Sequence, residues 1–396
     1  MITKIELTNF KSHAHTVIEP GRVTAFVGPN GCGKSSFLEA VNSLIGLLSS
    51  DIESAFGDEE RLYERTRRRT GGFKISLAGS FDNSSWQISF DNDFDISYSD
   101  LEISGVMFIH GTNESRFQWN LNSQSETLSS FPTKARVLDL IQDAEKAPDF
   151  IKLAGEIGES FYVKANYDDL VAPSDAKKIS PTGKGLASVV ARQMTEFDEQ
   201  HKDLESLLCG IVPAVKRIRV RPAEIVRDEI ETIKYEGGII PLPRKRTVNG
   251  HELIFDTVSG EKIPARFMSE GTILILGILT ILTRNLRCKT FLIDDIEAGL
   301  HPLAQRQLMK TLKDFAEKHD RQIILTSHSP YIIDELDAKD VWVMALDKEG
   351  VSHAKRLSDH PDADKVLSVL TTGEFASAYD EEWVVGDTKP AELIHG

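Results

Sequence analysis

Through the first 27 residues apolar positions alternate with polar ones, Ile5 and Leu7 sharing a face. They then close up into Val23-Thr24-Ala25-Phe26-Val27, a run suited to a strand buried on both sides. Glycine ends that run. Gly28-Pro29-Asn30-Gly31-Cys32-Gly33-Lys34-Ser35 follows, and residues 36–48 then carry Phe37, Val41, Leu44 and Leu48 at helical spacing. The pattern predicts strand, glycine loop, helix. Residues 73–77 and 86–90 alternate like meander strands, and Val106-Met107-Phe108-Ile109 reads as another apolar strand. From residue 134 to about 209 the spacing turns helical, punctuated by Pro148, Pro173 and Pro181, which leaves no unbroken heptad array and excludes a long coiled-coil arm. Strand patterning returns around residues 217–221, 230–235 and 252–257, while Arg244-Lys245-Arg246, after Pro241 and Pro243, is predicted as an exposed loop.

The last third alternates helix (273–286), buried strand (290–293), helix (303–319) and buried strand (322–325), which implies parallel pairing. The fold class predicted is therefore α/β, a mainly parallel sheet with helices, interrupted by a smaller helical and antiparallel insert. The tail beyond residue 350 is acidic and polar and is expected to fold only in part.

Composition narrows the class. The chain has 396 residues, 40% hydrophobic and 27% charged, which suits a large soluble core rather than a disulfide-stapled mini-fold. No apolar run approaches the ~20 residues of a membrane span, and the first residues lack a signal-peptide core, so a cytoplasmic protein without membrane partners is expected. Cys32, Cys209 and Cys288 are odd in number and widely spaced, as expected of reduced thiols. A net charge of −15 argues against coating nucleic acid by bulk charge, although residues 211–250 are base-rich where residues 330–396 are acid-rich.

The chemistry starts at the glycine loop. GxxxxGKS between an apolar strand and a helix is a phosphate cradle: backbone N–H groups curl around a phosphate and the helix start adds positive potential. Within residues 28–36 the predicted nucleotide contacts are Gly28, Asn30, Gly31, Cys32, Gly33, Lys34, Ser35 and Ser36. Lys34 reaches the β and γ oxygens and the Ser35 hydroxyl ligates Mg²⁺, so ATP and Mg²⁺ are the expected ligands. Such a loop needs a carboxylate at the end of a neighbouring strand, and Phe291-Leu292-Ile293 runs into Asp294 as the metal-side acid. Asp295 is next, positioned to orient the attacking water, with Glu297 as the alternative. His328, after Ile323-Ile324-Leu325, stands at the ligand edge of a parallel sheet, where a γ-phosphate and its water are read.

In chain order ITKIELTNFKSH, VGPNGCGKSS, MSEGT, FLIDDIEAGLHP and LTSHSP resemble the first strand, Walker A loop, shortened signature, Walker B with D-loop, and switch histidine of ABC-type ATPases of the SMC, RecF and OLD group. The resemblance covers about residues 1–48 and 263–345. More loosely, GKGLASVVARQM through PAVKRIRV, and GEFASAYDEEWV, resemble stand-alone SMC-like ATPases of bacterial phage-defence operons. It implies an N-terminal half-head at 1–125, a helical and β insert at 126–262, a C-terminal half-head at 263–350 and an acidic extension at 351–396. It also implies that Ser269 and Gly271 act in trans on ATP held by another subunit, which requires a homodimer or higher homo-oligomer. The expected role is an antiviral-defence ATPase whose ATP-dependent dimer is a sensor or scaffold controlling a separately encoded nuclease or toxin. Two departures matter. Asp295 stands where the group usually has glutamate, which predicts slow hydrolysis, and Ser-Glu-Gly differs from the transporter signature, which argues against a transporter subunit.

A RecF-like DNA-repair ATPase is the alternative. Arg217, Arg219 and Arg221, two apart on one strand face, suit a phosphate backbone, and Arg67 and Arg68 offer a second DNA contact. A solvated strand face or a salt-bridged interface is the competing reading of the first run, and an arginine aimed at ATP or a solvated loop that of the second.

Overall fold

The computed structural model describes residues 1–57, 64–66, 72–81, 84–93, 106–110, 113–121, 124–127, 147–235, 238–285, 288–379 and 381–386. The chain divides into two compact units. The first comprises Met1–Tyr162, Arg287–Glu297 and Leu312–Gly396, and the second comprises Val163–Leu286 and Ala298–Thr311.

Two sheets build the first unit. An antiparallel one contains β1 (Ile2–Phe10), β2 (His13–Ile18), β4 (Phe73–Phe81), β5 (Ser84–Asp93), β6 (Val106–His110), β7 (Asn113–Leu121) and β8 (Gln124–Thr127), in the order β2-β1-β4-β5-β7-β6 with β8 beside β7. The other contains β3 (Val23–Val27), β9 (Glu159–Val163), β13 (Cys288–Ile293), β14 (Gln322–Thr326), β15 (Val341–Leu346) and β16 (Ser352–Arg356), in the order β16-β15-β3-β14-β13-β9. Here β15, β3, β14 and β13 are mutually parallel and β16 is antiparallel to β15.

Continuous apolar sequence explains the central strands, since every residue of β3 and β14 is buried. Their register sets Ile293 opposite Leu325 and Thr326 opposite Phe26, so the C-terminal ends of β3, β13 and β14 open on one edge. Helix Lys34–Gly46 buries Phe37, Leu38, Val41 and Leu44 in a core shared with both sheets. Six buried phenylalanines, Phe10, Phe26, Phe37, Phe56, Phe73 and Phe90, anchor it, with Phe56 and Phe90 stacked at 4.6 Å. Burial of each such ring contributes about 2–3 kcal/mol.

The second unit contains helices Leu186–Glu196, Asp198–Ile211 and Glu270–Arg284, and a long hairpin of β10 (Val215–Tyr235) and β11 (Gly238–Thr257), flanked by β12 (Lys262–Pro264). Among the described residues no helix is long and apolar enough to cross a membrane.

Two expectations are corrected. Residues 159–163, inside the stretch predicted as helical, form β9, because Phe161, Tyr162 and Val163 favour a pleated, half-buried position. Arg244, Lys245 and Arg246 are exposed but lie within β11, where they pair with Glu229, Asp228 and Arg227. A hairpin with no third strand at that height among the described residues tolerates Pro241 and Pro243. Of the tail beyond residue 350, expected to fold only in part, residues 351–379 and 381–386 are described. There β16 is followed by helices Ala363–Leu367, Thr372–Ala378 and Glu382–Val385, and His360 packs against the rings of Phe375, Tyr379 and Trp383.

Candidate nucleotide site

The loop between β3 and helix Lys34–Gly46 turns on three glycines with positive φ, Gly28 (139°), Gly31 (82°) and Gly33 (106°). Two of them are also fixed by crowding: a Cβ on Gly28 would lie 2.0 Å from the Met344 carbonyl oxygen, and one on Gly33 2.5 Å from Ser352 Oγ. Apart from its chain neighbours, Gly31 has no described atom within 4 Å of where its Cβ would stand, so the cradle is open there. The underside is held by polar contacts. His13 Nε2 donates to the Gly33 carbonyl (3.1 Å), which leaves Nδ1 to accept from Thr16 Oγ1 (3.0 Å), and Ser352 Oγ lies 2.8 Å from the Cys32 carbonyl. Burial pulls the His13 pKa down to about 4, so the ring is neutral at pH 7. Lys34 is buried, and its Nζ donates to the Gly28 and Pro29 carbonyls at 2.7 and 2.9 Å. Burial pushes the neighbouring Cys32 thiol up, against the opposing pull of Lys34.

Because β13 and β14 end on the same edge as β3, their terminal side chains converge on Ser35. Asp294, buried, accepts on Oδ1 from Ser35 Oγ (3.0 Å) and Thr326 Oγ1 (2.7 Å), and on Oδ2 from the Tyr162 hydroxyl (3.0 Å). Burial first, then Asp294, pushes the Tyr162 phenol well up, so it remains a donor. Thr326 Oγ1 also accepts the Asp295 N–H (2.8 Å), holding Asp295 in a left-handed turn (φ 48°) with its side chain exposed. Glu297 Oε1 accepts the His328 N–H (2.6 Å), and Oε2 is buried without a hydrogen-bond partner among the described residues. An open cleft of about 400 Å³ brings Gly28, Pro29 and His328 together with Tyr379 and Glu381.

The structure therefore gathers Gly28, Gly33, Lys34, Ser35 and Asp294, with Asp295, Glu297 and His328 on the same sheet edge. Pro29, Asn30 and Gly31 are exposed, and Ser36 is half-buried in the first helical turn. These residues fit a nucleotide with a metal ion, since the loop is an open glycine cradle and Glu297 presents an unsatisfied buried oxygen. Tyr162 and Thr326 were missed by motif reading. The pair Tyr162-Val163 after Gly158 is the signal for a strand, but nothing local says that the phenol reaches an aspartate 132 positions away.

Ser269 and Gly271 belong to the second unit. Ser269 is exposed and caps helix Glu270–Arg284, its Oγ 2.7 Å from Thr272 Oγ1. Gly271 is buried, and a Cβ there would meet the Gly299 carbonyl oxygen at 2.4 Å. Of the predicted nucleic-acid contacts, Arg219 is paired with Asp256 (2.6 Å) and Arg221 with Glu252, while Arg217 is exposed. Arg67 and Arg68 lie outside the described residues.

Comparison with known proteins follows the same lines. The chain is 24% identical over 236 residues to a "Chromosome partition protein Smc" of Methanocaldococcus jannaschii, covering 59% of this chain and 18% of that protein. It is 23% identical over 355 residues to an "OLD nuclease" of Thermus scotoductus, covering 84% of this chain and 60% of that protein. The chain thus spans less than two thirds of the length of both relatives. A solved Smc head bound to the C-winged helix domain of ScpA superposes with a TM-score of 0.55 at 14% identity, covering 93% of this chain and 99% of that one. A family model matches residues 23–334, from the strand before the glycine loop to the turn after His328. The fold is that of an Smc head, and the chain belongs to the family described as "AAA domain, putative AbiEii toxin, Type IV TA system".

Proposed function

We propose that the chain binds ATP with Mg²⁺, hydrolyses it slowly, and through ATP-dependent pairing of two heads acts as a sensor or scaffold in antiviral defence, controlling a separately encoded nuclease or toxin. The observation that supports the ATPase reading most strongly is Asp294, a buried carboxylate at a strand end 3.0 Å from the Ser35 hydroxyl. Ser35 and Asp294 are the residues that would hold Mg²⁺, which would offset phosphate charge. Lys34 would exchange the Gly28 and Pro29 carbonyls for phosphate oxygens. Thr326 and Tyr162 keep Asp294 oriented, and the Glu297 carboxylate beside His328 is available to a water. The defence role draws on the family description and on the likeness to an OLD nuclease. DNA repair is the weaker reading, because Arg219 and Arg221 are committed to Asp256 and Glu252.

The test is ATP binding by equilibrium dialysis with Mg²⁺. Wild type is expected to bind, and Lys34→Ala to lose at least ~100-fold in affinity, since a charge-assisted phosphate contact is removed from a buried site. Full affinity in Lys34→Ala overturns the assignment.

A further inference from the structure

The hairpin of β10 and β11 has two unlike faces. It pairs from Val215 with Thr257 to Tyr235 with Gly238, while β12 covers only Ile254, Phe255 and Asp256. Near its base it is held by reciprocal backbone bonds between Ser174 and His251 and by an Arg227–Asp175 ion pair. Beyond that point β10 and β11 are each other's only ladder partners among the described residues, an arrangement that is marginal in water by itself.

Side chains opposite one another share a face. Arg227, Glu229, Glu231, Arg244 and Arg246 lie on one, where Glu229 pairs with Arg246 and Glu231 with Arg244. The other face carries Val226 opposite Thr247, Asp228 opposite Lys245 and Ile230 opposite Pro243. Val226 is 63% and Ile230 73% exposed. No ion pair joins Asp228 or Lys245 to another described residue, although they stand opposite each other.

We propose that this face of the β10–β11 ribbon packs against the same face of a second copy of the chain, independently of nucleotide. The argument is self-complementarity. If the two-fold axis runs along the ribbon, each side chain meets the second copy of its own cross-strand neighbour. Asp228 then meets Lys245 of the partner subunit, and Ile230 meets Pro243 of the partner subunit. One operation buries both exposed aliphatics and gives each of the two charges one partner, two ion pairs in the dimer. The salt-bridged face offers no such match, because its charges are already neutralised within the chain.

The experiment measures association by light scattering and native mass spectrometry in Lys34→Ala protein without nucleotide, so head engagement does not contribute. The parent is expected to dimerise, and Ile230→Lys, at an exposed and freely substitutable position, to weaken the dimer about 100-fold or more. Asp228→Lys and Lys245→Asp each set like charges against like and should be monomeric alone, yet form a mixed dimer when combined. An intrachain defect could not be repaired by mixing. A monomeric parent, an Ile230→Lys dimer of parental affinity, or charge-reversed chains with no preference for each other overturns the proposal. ATP affinity is read separately at Lys34, so loss of this dimer leaves the nucleotide assignment standing.

Discussion

Asp295 and Glu297 are the two proposed candidates for orienting the water, and their surroundings differ. Asp295 is one methylene shorter than the usual glutamate, and its backbone is pinned in a left-handed turn by Thr326. Its reach toward a water is therefore fixed, and ~1 Å of misalignment can cost about 100-fold in rate. Glu297 is already bonded to the His328 amide and has an unsatisfied buried oxygen. The expected outcome is slow steady-state hydrolysis, accelerated in Asp295→Glu and abolished in Asp295→Ala. Normal turnover in Asp295→Ala with an inactive Glu297→Ala would transfer the role to Glu297. Motif spacing made both candidates visible, along with Lys34, Ser35, Asp294 and His328, because phosphate chemistry fixes local sequence. It could not reveal Tyr162, whose relation to Asp294 arises only from strand order.

The glycine loop is supported by elements from both ends of the chain. His13 on β2 holds the Gly33 carbonyl, and Ser352 on β16 approaches the Cys32 carbonyl. The His13 pKa is lowered from 6.5 to about 4 by burial, with Lys11 adding to the effect. The native state thus resists a proton that the unfolded chain accepts below pH 6.5. Stability is full above that value, is lost as pH falls toward 4, and levels off below, a total of about 3 kcal/mol. Thermal unfolding of wild type and His13→Gln between pH 7.5 and 4 should show the gap between them narrowing as pH falls. An unchanged gap would contradict the burial of a neutral His13. The central strands and the helix after the loop were legible because burial on two faces, or on one helical stripe, leaves a periodic signature. The tail was not, because His360, Phe375, Tyr379 and Trp383 are too far apart in sequence to look like a core.

At the scale of the whole molecule, the chain carries the glycine loop in its first unit and the proposed signature, Ser269 with Gly271 at a helix start, in its second. The α/β class and mainly parallel sheet followed from alternating strands and helices. The length of the β10–β11 hairpin did not, because its exposed prolines and charges read as loop. If each site is completed by the signature of another subunit, Lys34→Ala and Ser269→Arg damage opposite halves of one composite site. The decisive measurement is steady-state ATP turnover of each variant alone and of a 1:1 mixture. Either variant alone should be inactive. In the mixture, half the dimers carry both lesions on one site and leave the other whole, so about a quarter of wild-type turnover should return. Wild-type turnover by either variant alone, or a mixture no more active than its components, would contradict the shared site.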